Sequence, residues 1–252
     1  MRRFHLFEFN DQPWLPQILR EAETAYLVAA YRLVPLARDW AGKMLSTLRP
    51  GTRMEIVDLC SGAGGPVASL IDELERRGCT ASALLTDLYP NSGCAPHARV
   101  SWLSEPLDAT HVPAELKGVR TLFCGFHHFR PQSARAILED AFLCRCPICI
   151  FEGGSGTAGG VATMLLVPFN VLAMMPFARP FRWAWLVFTY LIPLLPLIVF
   201  WDGVVSMLRI YSPEQMKALT AGFQAPDYLW EVGRLHVRGI PGGLPYLVGR
   251  TV

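Results

Sequence analysis

The stretch Glu55-Ile-Val-Asp-Leu-Cys-Ser-Gly-Ala-Gly-Gly-Pro66 decides the fold of this chain. A short apolar run ends in the acid Asp58, a glycine-bearing turn follows, and a helical pattern begins at Val67. A strand, a tight loop and a helix in this order present backbone N–H groups to a nucleotide-like ligand. The sequence therefore predicts a βαβ unit with a ligand-binding loop after its first strand.

A second acid lies one strand further along the chain. The apolar run from Ala81 to Thr86 predicts a strand, and Asp87 follows it directly. Its distance from the glycine loop is that expected for a carboxylate that binds the ribose of a cofactor. Together, the loop and Asp87 indicate an adenosine-containing cofactor.

These two motifs resemble those of a known family. The string EIVDLCSGAGG, followed by LLTDLYP, resembles the first two motifs of class I S-adenosylmethionine-dependent methyltransferases. The resemblance implies S-adenosyl-L-methionine as the cofactor, with Asp58 near its methionine end and Asp87 on its ribose hydroxyls. It also implies that the backbone approaches the ligand at Gly62 and Gly64.

Cys60 and Leu88 belong to the same motifs and are further candidate cofactor contacts. Cys60 stands where many members of the family have their first glycine. A nicotinamide- or flavin-binding Rossmann domain is the alternative, because any βαβ unit needs a tight turn at this place. The acid directly before the glycines and the lack of a clean G-x-G-x-x-G pattern favour the methyltransferase.

A third candidate contact follows the next strand. The segment Pro106-Leu107-Asp108-Ala109 comes after the strand-like run 100–103. In the family, an acid in this place lies near the adenine, so the resemblance makes Asp108 and its neighbour Ala109 cofactor contacts. A solvated loop acid is the alternative.

The rest of the chain alternates between strand and helix patterns. Such alternation is typical of an α/β, doubly wound, mostly parallel sheet, which binds ligands at the carboxyl ends of its strands. The two C-terminal strands resemble the antiparallel sixth and seventh strands of the methyltransferase fold, so we expect seven strands. Beyond the first two, the predicted strands are 100–103, 121–125, 148–152, 229–237 and 246–251, with helices at 132–143 and 213–221.

The size and charge of the chain limit its architecture and partners. Its 252 residues suit one domain with an insertion or a small accessory layer. A net charge of +2 is too small to indicate a nucleic-acid partner. We expect an N-terminal helical layer at 1–50 that ends at Pro50, a methyltransferase core at 51–153 and 203–252, and an apolar helical insertion at 154–202.

Seven cysteines are distributed through the predicted strands and helices. The N-terminal sequence has no apolar core of signal-peptide length, so we expect reduced thiols in a cytosolic protein. Cys144, Cys146 and Cys149 lie close together, but their spacing lacks a fourth ligand nearby. We therefore expect structural thiols and no metal site.

The predicted insertion is unusually apolar. The runs Val161 to Phe177 and Trp183 to Trp201 carry no charges, and Arg179 and Arg182 lie between them. Each run is close to the roughly 20 residues that a membrane-spanning helix needs. As exposed helices of a soluble protein they would form an extreme apolar patch, so we expect something to cover them.

Three arrangements of the two runs remain open. A pair of spanning helices would place both arginines outside, against the positive-inside tendency. A shallow hairpin in one leaflet fits better with the short lengths, the prolines and the tryptophans at 183, 185 and 201. A lid or dimerisation arm buried against protein is the third possibility. We expect membrane contact through 161–201.

Methyl transfer to oxygen or nitrogen usually needs a base close to the acceptor. His127 and His128 follow the fourth strand, on the substrate side of the cleft, and histidine titrates near neutrality. Adjacent side chains seldom face the same way, so we expect at most one of them to act, and we favour His128. Asp202, where we expect the chain to re-enter the core, could orient the substrate or a histidine, and an interfacial loop acid is the alternative. Glu152 at the end of the fifth strand is a comparable candidate.

The sequence thus predicts S-adenosylmethionine-dependent methyl transfer to a small acceptor that is lipophilic or delivered by a membrane. We expect the protein at the cytoplasmic face of a membrane, with a cytoplasmic protein as the alternative. The rival functions are a non-catalytic scaffold that keeps the cofactor fold and an NAD(P)-dependent reductase. The acceptor atom and the oligomeric state stay open.

Overall fold

A computed structural model describes residues 3–34, 36–48, 51, 53–90 and 97–252. Its strands are β1 (Arg53–Asp58), β2 (Thr80–Leu85), β3 (Val100–Trp102), β4 (Val119–Phe123), β5 (Ile148–Phe151), β6 (Tyr228–Leu235) and β7 (Leu244–Thr251). They form one sheet in the order β3-β2-β1-β4-β5-β7-β6. Strands β1 to β5 run parallel, and β7 is antiparallel to both β5 and β6. The predicted seven-stranded, mostly parallel α/β sheet is therefore confirmed.

The helices follow the predicted patterns closely. They are α1 (Gln17–Leu33), α2 (Leu36–Leu48), α3 (Val67–Arg76), α4 (Pro131–Leu143), α5 (Ala158–Thr163), α6 (Val167–Met174), α7 (Trp183–Leu186), α8 (Leu194–Arg209) and α9 (Pro213–Leu219). Helix α9 begins with a capping box, in which Ser212 and Gln215 each accept the other's backbone N–H. Pro50, the expected end of the N-terminal layer, lies outside the described residues.

The strand register brings the predicted ligand-binding residues to one edge. Asp58, the last residue of β1, is paired with Leu85 of β2 and with Thr121 of β4. Phe123 at the end of β4 is paired with Phe151 at the end of β5. Because these four strands are parallel, the loops that follow them emerge at the same edge of the sheet.

Aromatic packing supports the middle of this sheet. The rings of Phe123 and Phe151 are stacked with centroids 5.8 Å apart, and Trp40 of α2 lies 5.1 Å from Phe123. All three side chains are buried. Burying a large apolar side chain contributes about 1.5–3 kcal/mol, so this cluster fixes the ends of β4 and β5 firmly.

The chain divides into two compact units. The sheet unit comprises 36–153, 211–237 and 243–252, and the helical unit comprises 1–35, 154–210 and 238–242. Helices α1 and α2 thus belong to different units. The domain boundaries that we expect from the sequence stay predictions.

The helical unit contains the apolar segments. Ala158–Phe177 forms one helix, in which short 3₁₀ turns at 164–166 and 175–177 flank α6, and it is long and apolar enough to cross a membrane. A second candidate is the pair Trp183–Leu191 and Leu194–Arg209, which is bent by 79°. These are properties of length and composition alone.

The end of the second apolar run differs from the prediction. We expected the helix to end at Trp201 and the chain to leave it at Asp202, but α8 continues to Arg209. Asp202-Gly203 has the composition of a turn, yet both residues lie inside the helix. A Cβ on Gly203 would lie 2.9 Å from Sδ of Met164, so the glycine is needed for close helix packing.

Candidate functional site

The loop after β1 has the backbone of a ligand cradle. Gly62, Gly64 and Gly65 have φ values of 54°, 85° and 42°, in the left-handed region that glycine adopts without cost. A Cβ at Gly62 or Gly65 would meet no atom within 4 Å. Packing therefore does not explain these glycines, whereas a backbone that turns sharply beside open space does.

Cys60 adopts the same unusual conformation without being a glycine. Its φ is 56°, a value that costs a residue with a Cβ of the order of 1–3 kcal/mol. This explains why glycine is common at this position in the family that the sequence resembles. Burial raises the pKa of the thiol to about 12, with smaller contributions from nearby carboxylates. The thiol is therefore not a nucleophile.

Asp58 is a buried acid held by two hydroxyl groups. Its carboxylate accepts hydrogen bonds from Thr121 Oγ1 at 2.6 Å and from Ser61 Oγ at 2.7 Å. Burial raises its pKa to about 7, the two hydroxyls lower it, and the charge of Asp87 raises it further. The site thus holds a carboxylate that gains strongly from a cationic partner.

Asp87 connects the end of β2 to the glycine loop. Its Oδ2 accepts the backbone N–H of Gly62 at 2.8 Å, and its Oδ1 accepts that of Tyr89 at 2.9 Å. The carboxylate is therefore fixed beside the loop, as the sequence predicts for a residue that binds a ribose. Leu88 is 49% exposed and lies next to it.

The segment 106–109 lies against the same edge. The backbone N–H of Leu107 donates to the carbonyl oxygen of Asp87 at 2.9 Å. Asp108 accepts two hydrogen bonds of 2.8 Å from the backbone and hydroxyl of Thr110, which lower its pKa. Ala109 is buried in the core of the sheet unit. The exposed Asp108 can thus meet a ligand, and the cofactor contact expected of Ala109 stays a prediction.

A buried histidine and glutamate lie after β4 and β5. His127 Nδ1 is 2.8 Å from Glu152 Oε2, and both side chains are almost completely buried. The backbone N–H of Glu152 donates to the carbonyl oxygen of Pro245 in β7 at 3.2 Å, which anchors the residue. When Nδ1–H donates to the carboxylate, the basic nitrogen of the ring is Nε2. This pair is the arrangement of an oriented general base.

His128 lies against His127 but is exposed. The two rings are 4.4 Å apart and tilted by 33°, so the expectation that adjacent side chains face different ways is wrong here. Both residues belong to the 3₁₀ turn Phe126–His128. Tyr211 supports this turn, because its hydroxyl donates to the carbonyl of Phe129 at 2.8 Å.

Asp202 has a structural task within the helical unit. Its two carboxylate oxygens accept the backbone N–H groups of Phe9 at 2.7 Å and Asn10 at 2.9 Å. Such bonds satisfy backbone groups that burial would otherwise leave unpaired. Its proposed role in orienting a substrate or a histidine stays a prediction.

Sequence reasoning missed the hydroxyl groups that hold Asp58. Ser61, Thr86 and Thr121 all bond to this residue, with Thr86 Oγ1 donating to its carbonyl at 2.9 Å. The signal was small: Thr86 directly follows β2, Ser61 lies in the loop after β1, and Thr121 lies in the middle of β4. The described cysteines are all free thiols, and they include Cys144, Cys146 and Cys149. Burial raises the pKa of Cys149.

Comparison with known proteins gives a likeness in structure but not in sequence. No protein-family model and no curated protein sequence matches the chain. The plantazolicin methyltransferase BpumL in complex with SAH matches with a TM-score of 0.53 at 11% identity, over 93% of this chain and 98% of that one. Its complex with a triazolic desmethylPZN analog and SAH gives 0.54 at 10% identity, over 94% and 99%.

A second protein extends the comparison. The O-methyltransferase NcsB1 from neocarzinostatin biosynthesis, in complex with S-adenosylmethionine and 2-hydroxy-5-methyl naphthoic acid, matches with a TM-score of 0.50. The identity is 14%, over 93% of this chain and 58% of that one. At such identities the likeness concerns the fold. The fold of this chain is that of S-adenosylmethionine-dependent methyltransferases.

Proposed function

We propose that this protein transfers a methyl group from S-adenosyl-L-methionine to a hydroxyl group of a small, lipophilic acceptor. The observation that carries the proposal is the buried His127–Glu152 pair, which follows β4 and β5 at the edge where Asp58 and Asp87 lie. A hydroxyl acceptor needs a base to take its proton, whereas a non-catalytic scaffold has no use for one in this place. NcsB1 is an O-methyltransferase, but its likeness to this chain is one of fold, so the hydroxyl assignment rests on the pair.

The residues at the sheet edge fit the proposed cofactor. Asp87 is fixed beside the glycine loop, where its oxygens can accept hydrogen bonds from ribose hydroxyls. The open space at Gly62 and Gly65 leaves room for a ligand against the backbone. Asp58 offers a buried carboxyl group that ionises more readily beside a cation, which suits the ammonium group at the methionine end of S-adenosylmethionine. When bound, this cofactor supplies a methyl group that is already activated by a sulfonium.

The chain's own residues then manage the proton of the acceptor. In the proposed reaction, His127 accepts the hydroxyl proton at Nε2 while the methyl group is transferred to the acceptor oxygen. The carboxylate of Glu152 holds the ring in the correct tautomer and stabilises the imidazolium that forms. Glu152 is thus a positioning residue and His127 the catalytic one, in preference to His128.

We also infer that the acceptor is lipophilic and that the protein works at the cytoplasmic face of a membrane. The support is the helical unit. In its apolar segment Ala158–Phe177, only 17% of the 18 most apolar consecutive residues are buried. An exposed apolar surface of this kind marks a site of interaction with a membrane or another protein. We place the protein on the cytoplasmic face because the cofactor is supplied from the cytosol.

Turnover on a lipid extract tests the enzymatic part directly. The purified chain is incubated with methyl-labelled cofactor and an extract of the source membranes, and both S-adenosylhomocysteine and labelled products are measured by mass spectrometry. We expect product and S-adenosylhomocysteine to appear in equal amounts. Tight cofactor binding without any release of S-adenosylhomocysteine, on extract or on simple phenols, would identify a scaffold instead.

A further inference from the structure

The helical unit carries its exposed apolar side chains on two adjacent segments. On the first segment Val171 and Met175 face the core of the unit, and on the second Trp185 and Leu195 do so. The hydroxyl of Tyr190 donates to the carbonyl of Leu172, so the two segments lie side by side. We call the outward side the exposed apolar face, and its members are Leu165, Leu166, Phe169, Phe177, Trp183, Val187, Tyr190, Leu191, Leu194 and Leu197.

The stretch of chain that forms this face itself carries charges of one sign only. Residues 153–201 contain Arg179 and Arg182 and no Asp or Glu. Arg179 is exposed, and Arg182 is half-exposed while pairing with Glu21 of α1 at 2.6 Å. Trp183, 76% exposed, directly follows these arginines. Aromatic and cationic side chains beside a purely apolar surface are typical of segments that lie in the headgroup region of a bilayer.

The second apolar segment cannot cross a bilayer in this fold. Half of the residues of helix α8 are buried in the helical unit, and among them are the ionisable side chains of Asp202 and Arg209. Asp202 holds the backbone of Phe9 and Asn10, and Arg209 Nε donates to the carbonyl of Leu6 at 2.8 Å. Placing α8 in lipid would break all these bonds and expose two charges to hydrocarbon.

The first segment cannot cross alone. The residues before and after the apolar region, Gly153 and Tyr211, both belong to the sheet unit, which a bilayer cannot divide. A crossing by Ala158–Phe177 would therefore need a second crossing before Tyr211. Within the described part of the chain, the bent pair that ends in α8 is the only other candidate.

We propose that the helical unit binds a single leaflet of a lipid bilayer through the exposed apolar face and does not cross the membrane. The inference rests on the membrane contact in the proposed function. It adds the topology of the bound protein and the identity of the residues that enter the lipid. The bound surface is a lipid leaflet with anionic or zwitterionic headgroups, since the arginines beside the face suit lipid phosphates. The N-terminal segment and the part of α8 that contains Asp202 and Arg209 stay folded on each other outside the hydrocarbon.

Vesicle flotation tests the face. The full-length chain is mixed with vesicles of phosphatidylcholine and phosphatidylglycerol, and the floating fraction is measured for wild type, Leu166→Gln and Phe169→Gln. The matched control is Leu143→Gln on α4, because Leu143 is also 69% exposed but lies in the sheet unit. We expect each change on the face to lower the partition constant about tenfold or more, and the control to float like wild type.

Labelling from inside the vesicle tests the topology. Every cysteine of the chain lies between residues 60 and 149, so none is on the helical segments. In Ala184→Cys, a spanning hairpin would bring the new thiol close to the vesicle lumen. We expect a thiol reagent trapped in the lumen to leave it unlabelled until detergent is added. Labelling without detergent would overturn the single-leaflet topology.

The remaining outcomes separate the two proposals. If the wild-type chain fails to float, the leaflet is not the partner; a detergent-independent dimer that Phe169→Gln dissociates would assign the face to a second copy. Release of S-adenosylhomocysteine on a soluble phenol is measured with the same preparations. If flotation follows the expected pattern while turnover is absent, the enzymatic proposal fails and the leaflet inference stands.

Discussion

The sheet edge and the helical unit each bury a group of acids, and they hold them in different ways. At the sheet edge, Asp58 is held by the hydroxyl of Thr121, which the strand register places beside it, and by that of Ser61 in the loop after β1. In the helical unit, Asp202 is held by the backbone of Phe9 and Asn10, almost the whole chain away. The first arrangement holds an acid directly before the glycine loop, and the second fixes a segment of the chain.

The protonation of the two groups differs accordingly. Burial raises the pKa of Asp58 to about 7, so a cationic ligand can return it to the charged form near neutrality. Burial and the charges of Asp202 and Glu8 raise the pKa of Glu23 to about 9, which keeps this acid protonated under most conditions. The comparison suggests that an acid poised near neutral pH marks a site and that a permanently neutral one marks a structural contact.

The largest effect should come from the proposed base. We expect His127→Ala to lower the turnover number by about 10²–10⁴-fold, because the acceptor proton loses its receiver. His128→Ala, the matched neighbour, should cost far less. Glu152→Gln should move the acidic limb of the pH–rate profile to lower pH, since the carboxylate no longer stabilises the imidazolium. An unchanged profile together with a fully active His127→Ala would remove the pair from the mechanism.

Glu23→Gln should change stability with pH in the helical unit. Because its folded pKa of about 9 lies above the ordinary carboxyl value of 4.5, folding takes up a proton between these values, and the free energy of unfolding falls as pH rises between them. The slope is about 1.4 kcal/mol per pH unit at most. Glutamine mimics the protonated acid, so the variant lacks the contribution of Glu23 to this slope.

Comparison of the wild type with the glutamine variant between pH 7 and 9 isolates this effect, because other groups, such as buried thiols with raised pKa values, contribute equally to both chains. Asp58 has the same sign, but its contribution to the slope ends near its own pKa of about 7. Urea unfolding at pH 7, 8 and 9 measures the slope for wild type and for the glutamine variant. Parallel slopes would mean that Glu23 is not held neutral, and the contrast between the two regions would weaken.

Asp87→Ala should weaken binding of S-adenosylhomocysteine by about 1–3 kcal/mol, because the carboxylate that accepts the ribose hydroxyls is lost. Calorimetry measures the dissociation constant. Asp108→Ala serves as the comparison at the same edge, and its exposed carboxylate should matter less. Equal affinity for wild type and Asp87→Ala would withdraw the ribose assignment, provided that both proteins melt at similar temperatures.

The smallest effect concerns the backbone at Cys60. With φ at 56°, a β-branched side chain is strained, so Cys60→Val should be less stable than Cys60→Gly by about 1–2 kcal/mol. Chemical denaturation of the two variants gives this difference directly. If valine were the more stable replacement, the loop would not have the left-handed turn that the cradle requires.

The sheet edge could be predicted from the sequence and the helical unit largely could not. Asp58 and Asp87 stand directly after strand patterns, and glycines with one acid define the loop locally. The register of a parallel sheet then brings the strand ends together without further information. The hydrogen bond from the hydroxyl of Thr121 to Asp58 depends on that register, so it was missed in the sequence.

Asp202 was misplaced for a different reason. Its partners are 192 and 193 residues away, so no local pattern reveals them, and Asp202-Gly203 alone favours a turn. The helix continues because the carboxylate is satisfied by the N-terminal backbone and because Gly203 allows Met164 to approach. His127 and His128 were found from their place after β4, but the choice between them needed Glu152, 25 residues away.

Calorimetric titration of the purified chain with S-adenosylhomocysteine, compared with NADH and repeated at pH 6 and pH 8, tests the central claim most directly. The account predicts one site for S-adenosylhomocysteine and no comparable binding of NADH. It also predicts that, as the pH rises towards 7, the affinity for S-adenosylhomocysteine increases by up to about tenfold per pH unit. The reason is that Asp58 must lose its proton to pair with the ammonium group of the ligand. No binding of S-adenosylhomocysteine, or tighter binding of NADH, would contradict it.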